Sequence, residues 1–476
     1  MATTNRVYRN TLSAIRIRGL LPESSAPVTA FAAAVVATLI VALAQGPKQF
    51  YYDSGSYWSL GGTFISHGHF SLTNFDSALR GYILPLTYRG LHELALGLGW
   101  TDSSMVKVSN VLLLSFIGAF LIPKLAEVAW PERLWSVPRR LSLVALLLIF
   151  WSGYLNFPLS DMPGLAMALL AILAVSRPYP AWRMLLAGVA TAVTIDIRPS
   201  YVLLLPVVLT LAVWEFFDQH DHKRHPARLA LYLCLAIAGF AVVSLPQSLA
   251  AHRHFGTYSF VPGSAAGLEN TQLTEGMRIQ LYGTFIGPVY RPQMDYVDEA
   301  GNALLREQPD QQIHSVPQYL GMILDHPLSF AGIFARHIVN GLDVRYSAPY
   351  TEHLRTDWWL RIGGFALIFA GLLRVLWPKA RRSLGAALWR YPVALLICCL
   401  TAVPSAIETR YLLPVFILSY MLALAPGWPS PIAAGGTTLH RYLLATVILV
   451  AYLIFMATVW HVTSGASHSL QLQRLR

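Results

Sequence analysis

Apolar runs alternate with polar segments along the whole chain, and the length of the runs decides what they can form. Windows of roughly 15 to 22 apolar residues, enough for a helix to cross a hydrocarbon core of about 30 Å, recur near residues 27–45, 104–122, 141–156, 161–176, 183–196, 200–217, 229–250, 357–377, 391–407, 411–425 and 441–460. The pattern predicts an all-α polytopic membrane protein with about 11 transmembrane helices, in a range of 9 to 13. Several runs are short, so neighbouring protein must shield their ends. Two polar segments are long, 46–103 and 251–356, and three connections on the same side are tight turns at 156–161, 196–200 and 407–411. Within the first long segment, Tyr82 to Gly99 is semi-apolar but interrupted by Pro85, Arg89, His92 and Glu93. It is expected to lie on or dip into the membrane surface, because a lipid-exposed span would not carry those charges cheaply. In the second, Gly, Pro, Asn and Gln through 261–312 predict loop structure, and 316–343 reads as amphipathic helix. The expected organisation is a cytoplasmic segment 1–26, a first helix group 27–250 containing the outer loop 46–103, an outer-face region 251–356, a second helix group 357–461 and an outer tail 462–476.

Composition agrees with the runs. Of 476 residues, 55% are hydrophobic and 12% charged, too apolar for a soluble globular chain of this size. The net charge of +11 acquires meaning from its distribution. With an inner N-terminus, one alternating set of segments holds Arg6, Arg9, Arg16, Arg18, Arg139, Arg140, Lys223, Arg224, Lys379, Arg381 and Arg382 and few acids, while the other set leans acidic. Basic loops stay cytoplasmic during insertion, so the charge records orientation and gives no reason to invoke nucleic acid. The first apolar run lacks a small-residue cleavage site and reads as a retained signal anchor. Cys234, Cys398 and Cys399 all fall within expected spans, which excludes a disulfide framework or a zinc motif.

That topology gathers ionisable residues far apart in sequence onto one outer face: Asp53 in Tyr51-Tyr52-Asp53-Ser54, Asp161 in Ser160-Asp161-Met162-Pro163, Asp196 and Arg198 around Ile197, and Glu408 and Arg410 in Glu408-Thr409-Arg410-Tyr411-Leu412-Leu413-Pro414. Charges near span ends are costly unless solvated or paired, which makes the set a candidate site. Asp53 is the candidate general base, on the expectation that a partly desolvated carboxyl has its pKa raised toward neutrality. Asp161 is the candidate second carboxylate, to orient an acceptor or hold a divalent cation such as Mg or Mn; as an acid before Met-Pro it is equally placed to cap a helix. Arg410, Arg198 and Arg80 are candidate phosphate ligands, since guanidinium matches phosphate oxygens with paired hydrogen bonds. Glu408, Tyr411, Tyr52 and Tyr57 are candidate supporting residues, the tyrosines being equally at home at a membrane interface. His67 and His69 form a His-Gly-His pattern without a third ligand and are expected to be ordinary surface histidines.

With these residues in order along the chain, together with Arg198-Pro199 and His326-Pro327, the sequence resembles the GT-C glycosyltransferase superfamily. These are multi-span enzymes that take a sugar from a polyprenyl-phosphate carrier on the outer face of a membrane. The resemblance implies a GT-C-like fold, a polyprenyl-phosphate sugar donor, a glycan or glycolipid acceptor, and a bacterial inner membrane as the location. It also implies an inverting displacement in which Asp53 deprotonates the acceptor hydroxyl and arginines meet the phosphate leaving group. One departure is visible: many relatives carry two acids close together in the first outer loop, whereas here Asp53 is followed by Ser54 and the next acid is Asp76. Asp161 is then the candidate for the second carboxylate. A polysaccharide polymerase or ligase using a polyprenyl-diphosphate donor, and a lipid or solute transporter, are the competing readings.

Overall fold

The computed structural model describes residues 26–130, 134–176, 181–219, 226–376, 387–425 and 438–472. The expected segment 1–26 lies almost wholly outside these residues, as do Arg6, Arg9, Arg16, Arg18, Lys223, Arg224, Lys379, Arg381 and Arg382. Each expected apolar run overlaps helix, although in 391–407 the helix Ala387–Ile397 gives way to the single turn Leu400–Ala402 and 403–407 is not helical. Seven helices among the described residues are long and apolar enough to cross a membrane: Ala26–Ala44, Asp102–Ala129, Val137–Asn156, Pro199–Asp218, Pro226–Phe255, Trp358–Leu376 and Ala445–His468. The other runs form shorter helices, Asp161–Val175, Trp182–Ile197, Ala387–Ile397 and Leu413–Leu424. Asp161–Val175 is buried along most of its length, the position in a bundle where a short apolar helix needs no lipid. The long helices instead leave Val36, Ile40, Leu43, Val242, Leu453 and Ile454 more than half exposed. An apolar surface of this extent, on helices of this length, is that of a membrane protein.

Close approach of small residues holds the bundle together where the hydrophobic effect cannot act between helices. Trp182–Ile197 packs against Pro226–Phe255 through Gly188 and Gly239, where a Cβ would lie 1.9 Å from the Ala236 carbonyl oxygen and 2.1 Å from that of Leu185. Some buried polar groups close helix ends. The buried ammonium of Lys107 donates to the carbonyls of Ala42 (3.2 Å) and Gly46, satisfying the end of the first helix.

The chain is mostly helical, and the expectation that the structure corrects is the loop reading of 261–312, which contains helix and strand. Strands β1 (Ile65–Ser66) and β2 (His69–Phe70) form a small hairpin in the first long segment. A four-stranded sheet then covers one end of the bundle, built from β3 (Ile279–Phe285), β4 (Gln293–Val297), β5 (Tyr350–Thr351) and β6 (Leu470–Gln471) in the order β5-β3-β4-β6. β3 runs antiparallel to β4 and parallel to β5, and β6 adds to the far edge of β4. Two of the four strands are two residues long, too short to leave a period in the sequence. The tail boundary shifts for the same reason, since the last helix runs to His468 and the next residues enter the sheet. The amphipathic stretch 316–343 resolves into two helices, Val316–Asp325 and Pro327–Gly341. They share a small core of Met277, Leu305, Ile313, Tyr319, Phe330 and Ile333 with helices Leu268–Arg278 and Glu299–Arg306. Tyr82 to Gly99 forms the helix Ile83–Leu98.

Candidate functional site

Asp53 sits in the first turn of the short helix Tyr52–Leu60. The turn is fixed locally: Ser54 Oγ accepts from the Tyr51 N–H (2.9 Å) and donates to the Tyr51 carbonyl (2.6 Å). The Ser54 N–H donates to Tyr350 Oη of β5 (3.1 Å), linking the turn to the sheet. Tyr52 carries φ +42°, a conformation that costs a bulky residue energy and tends to persist where surrounding contacts impose it.

Two guanidiniums meet the Asp53 carboxylate. Arg80 Nη2 donates to Oδ1 at 2.5 Å and Arg410 Nη2 to Oδ2 at 3.0 Å. Arg80 comes from the loop before Ile83–Leu98, lies over the Tyr57 ring 4.9 Å from its centre, and also donates to Tyr57 Oη (3.3 Å). Arg410 comes from the single turn Thr409–Leu412 and is buried. Its Nε and Nη2 grip both oxygens of Glu408 at 2.7 Å each, and its Nη1 lies 3.6 Å from Asp161 Oδ2. Tyr411 Oη donates to Glu408 Oε1 (3.0 Å). Behind Arg410, Arg198 Nη1 donates to Asp161 Oδ1, and the Arg198 guanidinium lies 5.0 Å from the ring centre of Tyr411. Arg198 Nε and Nη2 are buried without a hydrogen-bond partner.

The three carboxylates Asp53, Asp161 and Glu408 therefore interlock with the three guanidiniums Arg80, Arg198 and Arg410. Burial pushes the Asp53 carboxyl up, and Arg410 and Arg80 outweigh it, leaving its pKa below the ordinary aspartate value. That reverses the expectation of a carboxyl raised toward neutrality, because the arginines expected to bind phosphate are its direct partners.

A cavity of about 530 Å³ opens beside the cluster, lined on one side by Tyr52, Asp53, Arg80, Glu408, Arg410 and Tyr411. Its volume is in the range typical of small-molecule sites, roughly 300–1,000 Å³. The opposite side is formed by the elements that cover this end of the bundle, through Gln272 and Glu275 of Leu268–Arg278, Tyr282 of β3 and Gln293 and Asp295 of β4. Burial and the neighbouring Glu275 push the Asp295 carboxyl up. The Tyr282 N–H donates to the Ile407 carbonyl (2.8 Å), so the sheet is tied to the turn that carries Glu408. Tyr282, Glu275 and Asp295 lie in 261–312, the stretch read as loop, and Tyr350 lies beyond the expected helix 316–343, so none of them carried a signal in the sequence.

Of the nine residues given individual roles from the sequence, Asp53, Arg80, Glu408, Arg410, Tyr411 and Tyr52 line the cavity. Tyr57 lies under Arg80, and Asp161 and Arg198 form a buried layer behind Arg410. Asp196 stands apart: its Oδ1 accepts from the Ile83 N–H (2.8 Å) and holds the start of Ile83–Leu98. His67 and His69 lie on the exposed β1–β2 hairpin. Asp53 and Asp161, the carboxylates considered for a divalent cation, each face guanidinium nitrogens instead, so this donor set does not fit a cation. Among the described residues no group of three or more His, Cys, Asp or Glu is arranged to hold a metal. No protein-family model matches the chain, and none of the curated proteins matches it.

Proposed function

We propose that the chain is a GT-C-like membrane glycosyltransferase with about eleven crossings, a cytoplasmic N-terminus and its site on the outer face of a bacterial inner membrane. The observation that carries this reading is the convergence of six ionisable side chains, from five separate stretches of sequence, into one ion-pair cluster, four of whose members line the cavity. The donor would be a sugar on a polyprenyl phosphate and the acceptor a hydroxyl of a glycan or glycolipid. The acceptor oxygen attacks the anomeric carbon, the bond from that carbon to the phosphate oxygen breaks, the electron pair leaves with the phosphate, and the hydroxyl proton passes to Asp53. Configuration inverts.

The resting geometry supplies a way to make Asp53 basic at the right moment. Arg80 and Arg410 hold its pKa down, and both face the cavity. A phosphate entering there competes for the same guanidinium N–H groups. As they turn to it, the desolvation that already pushes Asp53 up is opposed less, and the carboxylate gains basicity. The same arginines then stabilise the charge that develops on the leaving phosphate. Arg198 and Asp161 hold Arg410 from behind.

Asp53→Asn tests the assignment. Transfer from a polyprenyl-phosphate sugar in proteoliposomes should fall by about 10² to 10⁴, while donor binding is kept or tightened, because the anion competing for Arg80 and Arg410 is gone. Turnover at the wild-type rate would remove Asp53 from the role of base.

A further inference from the structure

The hairpin of Val316–Asp325 and Pro327–Gly341 turns only one of its faces to protein. Tyr319, Met322, Phe330 and Ile333 are buried in the outer-layer core. The other face is apolar as well. Along the first helix Val316, Leu320 and Leu324 recur every fourth residue at 45%, 53% and 80% exposure, and along the second Leu328 (87%), Ala331, Ala335 and Ile338 (40%) form a matching stripe. Leu328 and Leu324, on either side of the connecting turn, are the two most exposed large hydrophobic residues described in the chain. The charges close by are few. Arg336 is held by Asp298 through two hydrogen bonds of 2.8 Å, His326 lies 3.7 Å from Glu307, and Asp325 stands at the turn.

We propose that this face is seated in the lipid interface, with Leu324 and Leu328 among the acyl chains. The occupant follows from continuity with the lipid-facing surface of the bundle. Pro327–Gly341 packs against the long helix Thr438–His468, whose Leu449, Leu453 and Trp460 are about half exposed. His337 Nδ1 also donates to the Val403 carbonyl (2.6 Å) just past the helix Ala387–Ile397. The hairpin thus lies beside bundle helices rather than at the far side of the outer layer. Two apolar ridges on adjoining helices, with the ionisable groups drawn inward or to the turn, are what an element lying in the plane of the interface requires. The same hairpin core contains Met277 and Leu273 of the helix that presents Gln272 and Glu275 to the cavity. One wall of the cavity therefore rests on lipid. This inference needs only the membrane-spanning character of the chain and is independent of glycosyl transfer.

Bimane attached at Leu324→Cys or Leu328→Cys, in a Cys234→Ser background reconstituted in phosphatidylcholine nanodiscs, tests it. Gln312→Cys, exposed in the same layer, is the reference. Emission should be blue-shifted at 324 and 328, and brominated lipid should quench those positions several-fold more than 312. Quenching equal to that at 312, with water-like emission, would overturn the proposal. Shielding that depends on protein concentration and ignores brominated lipid would overturn it too, in favour of a second copy of the chain.

Discussion

Replacing Arg410 with Met should destabilise the protein and abolish transfer, and a second substitution should separate the two effects. Arg410 is 7% exposed and serves three carboxylates. Without it Asp53 retains Arg80 and Asp161 retains Arg198, but Glu408 is left with the Tyr411 hydroxyl alone. Removing one partner of a buried ion pair costs about 3–5 kcal/mol, because the other charge stays buried and uncompensated. Adding Glu408→Gln removes that charge, keeps an oxygen for the Tyr411 hydroxyl, and should bring stability back to within about 1.5 kcal/mol of wild type. Transfer should stay lost, since the phosphate ligand is still missing. Denaturant unfolding in micelles followed by tryptophan fluorescence gives the first quantity, and transfer in proteoliposomes the second. The reasoning fails if Arg410→Met unfolds within about 1 kcal/mol of wild type, or if the double variant turns over.

Two further outcomes follow from the same geometry. The base must be ionised, so activity falls as pH drops through its pKa. In kcat/KM, which reports the free enzyme, the acid limb should lie below the ordinary aspartate value of about 3.9, because Arg410 and Arg80 hold Asp53 low. In kcat, which reports the donor complex, the limb should lie at higher pH, and the reverse order in pH–rate profiles would contradict the exchange of partners. Gly81→Ala should cost about 1–3 kcal/mol by overpacking, since its Cβ would lie 2.2 Å from the Asp196 carbonyl oxygen and 2.5 Å from Oδ1. It should also raise the donor KM by displacing Arg80, and a variant equal to wild type in unfolding and in KM would show that the contact relaxes freely.

The helices were legible because apolar length is a local signal, and the end to which Asp53, Arg80, Glu408 and Arg410 converge follows once the runs are placed in order. Which of these pair is not local. The proximity of Asp53 to Arg410 is created by β5 bringing Tyr350 to the Ser54 N–H and by β3 gripping Ile407, and neither strand has a readable period. The same gap explains the Asp53 pKa. Partial burial was foreseen, but the two guanidiniums that reverse its effect come from residues 27 and 357 positions away. The opposite wall, with Glu275 and Asp295, was hidden because single acids in a polar segment carry no pattern.

The sheet also sets an order of construction. β4, which brings Asp295 to the cavity, pairs through Asp295 and Tyr296 with Gln471 and Leu470. Those residues are synthesised only after the last two long apolar helices, Trp358–Leu376 and Ala445–His468, so during translation β4 waits with an open edge while these are made. Open edges are sites of mispairing, and chains are made at about 5–20 residues per second. The cavity is therefore among the last features to be completed, and a nascent chain carries both Asp295 and Arg410 before it carries the strand that pairs with the edge of β4.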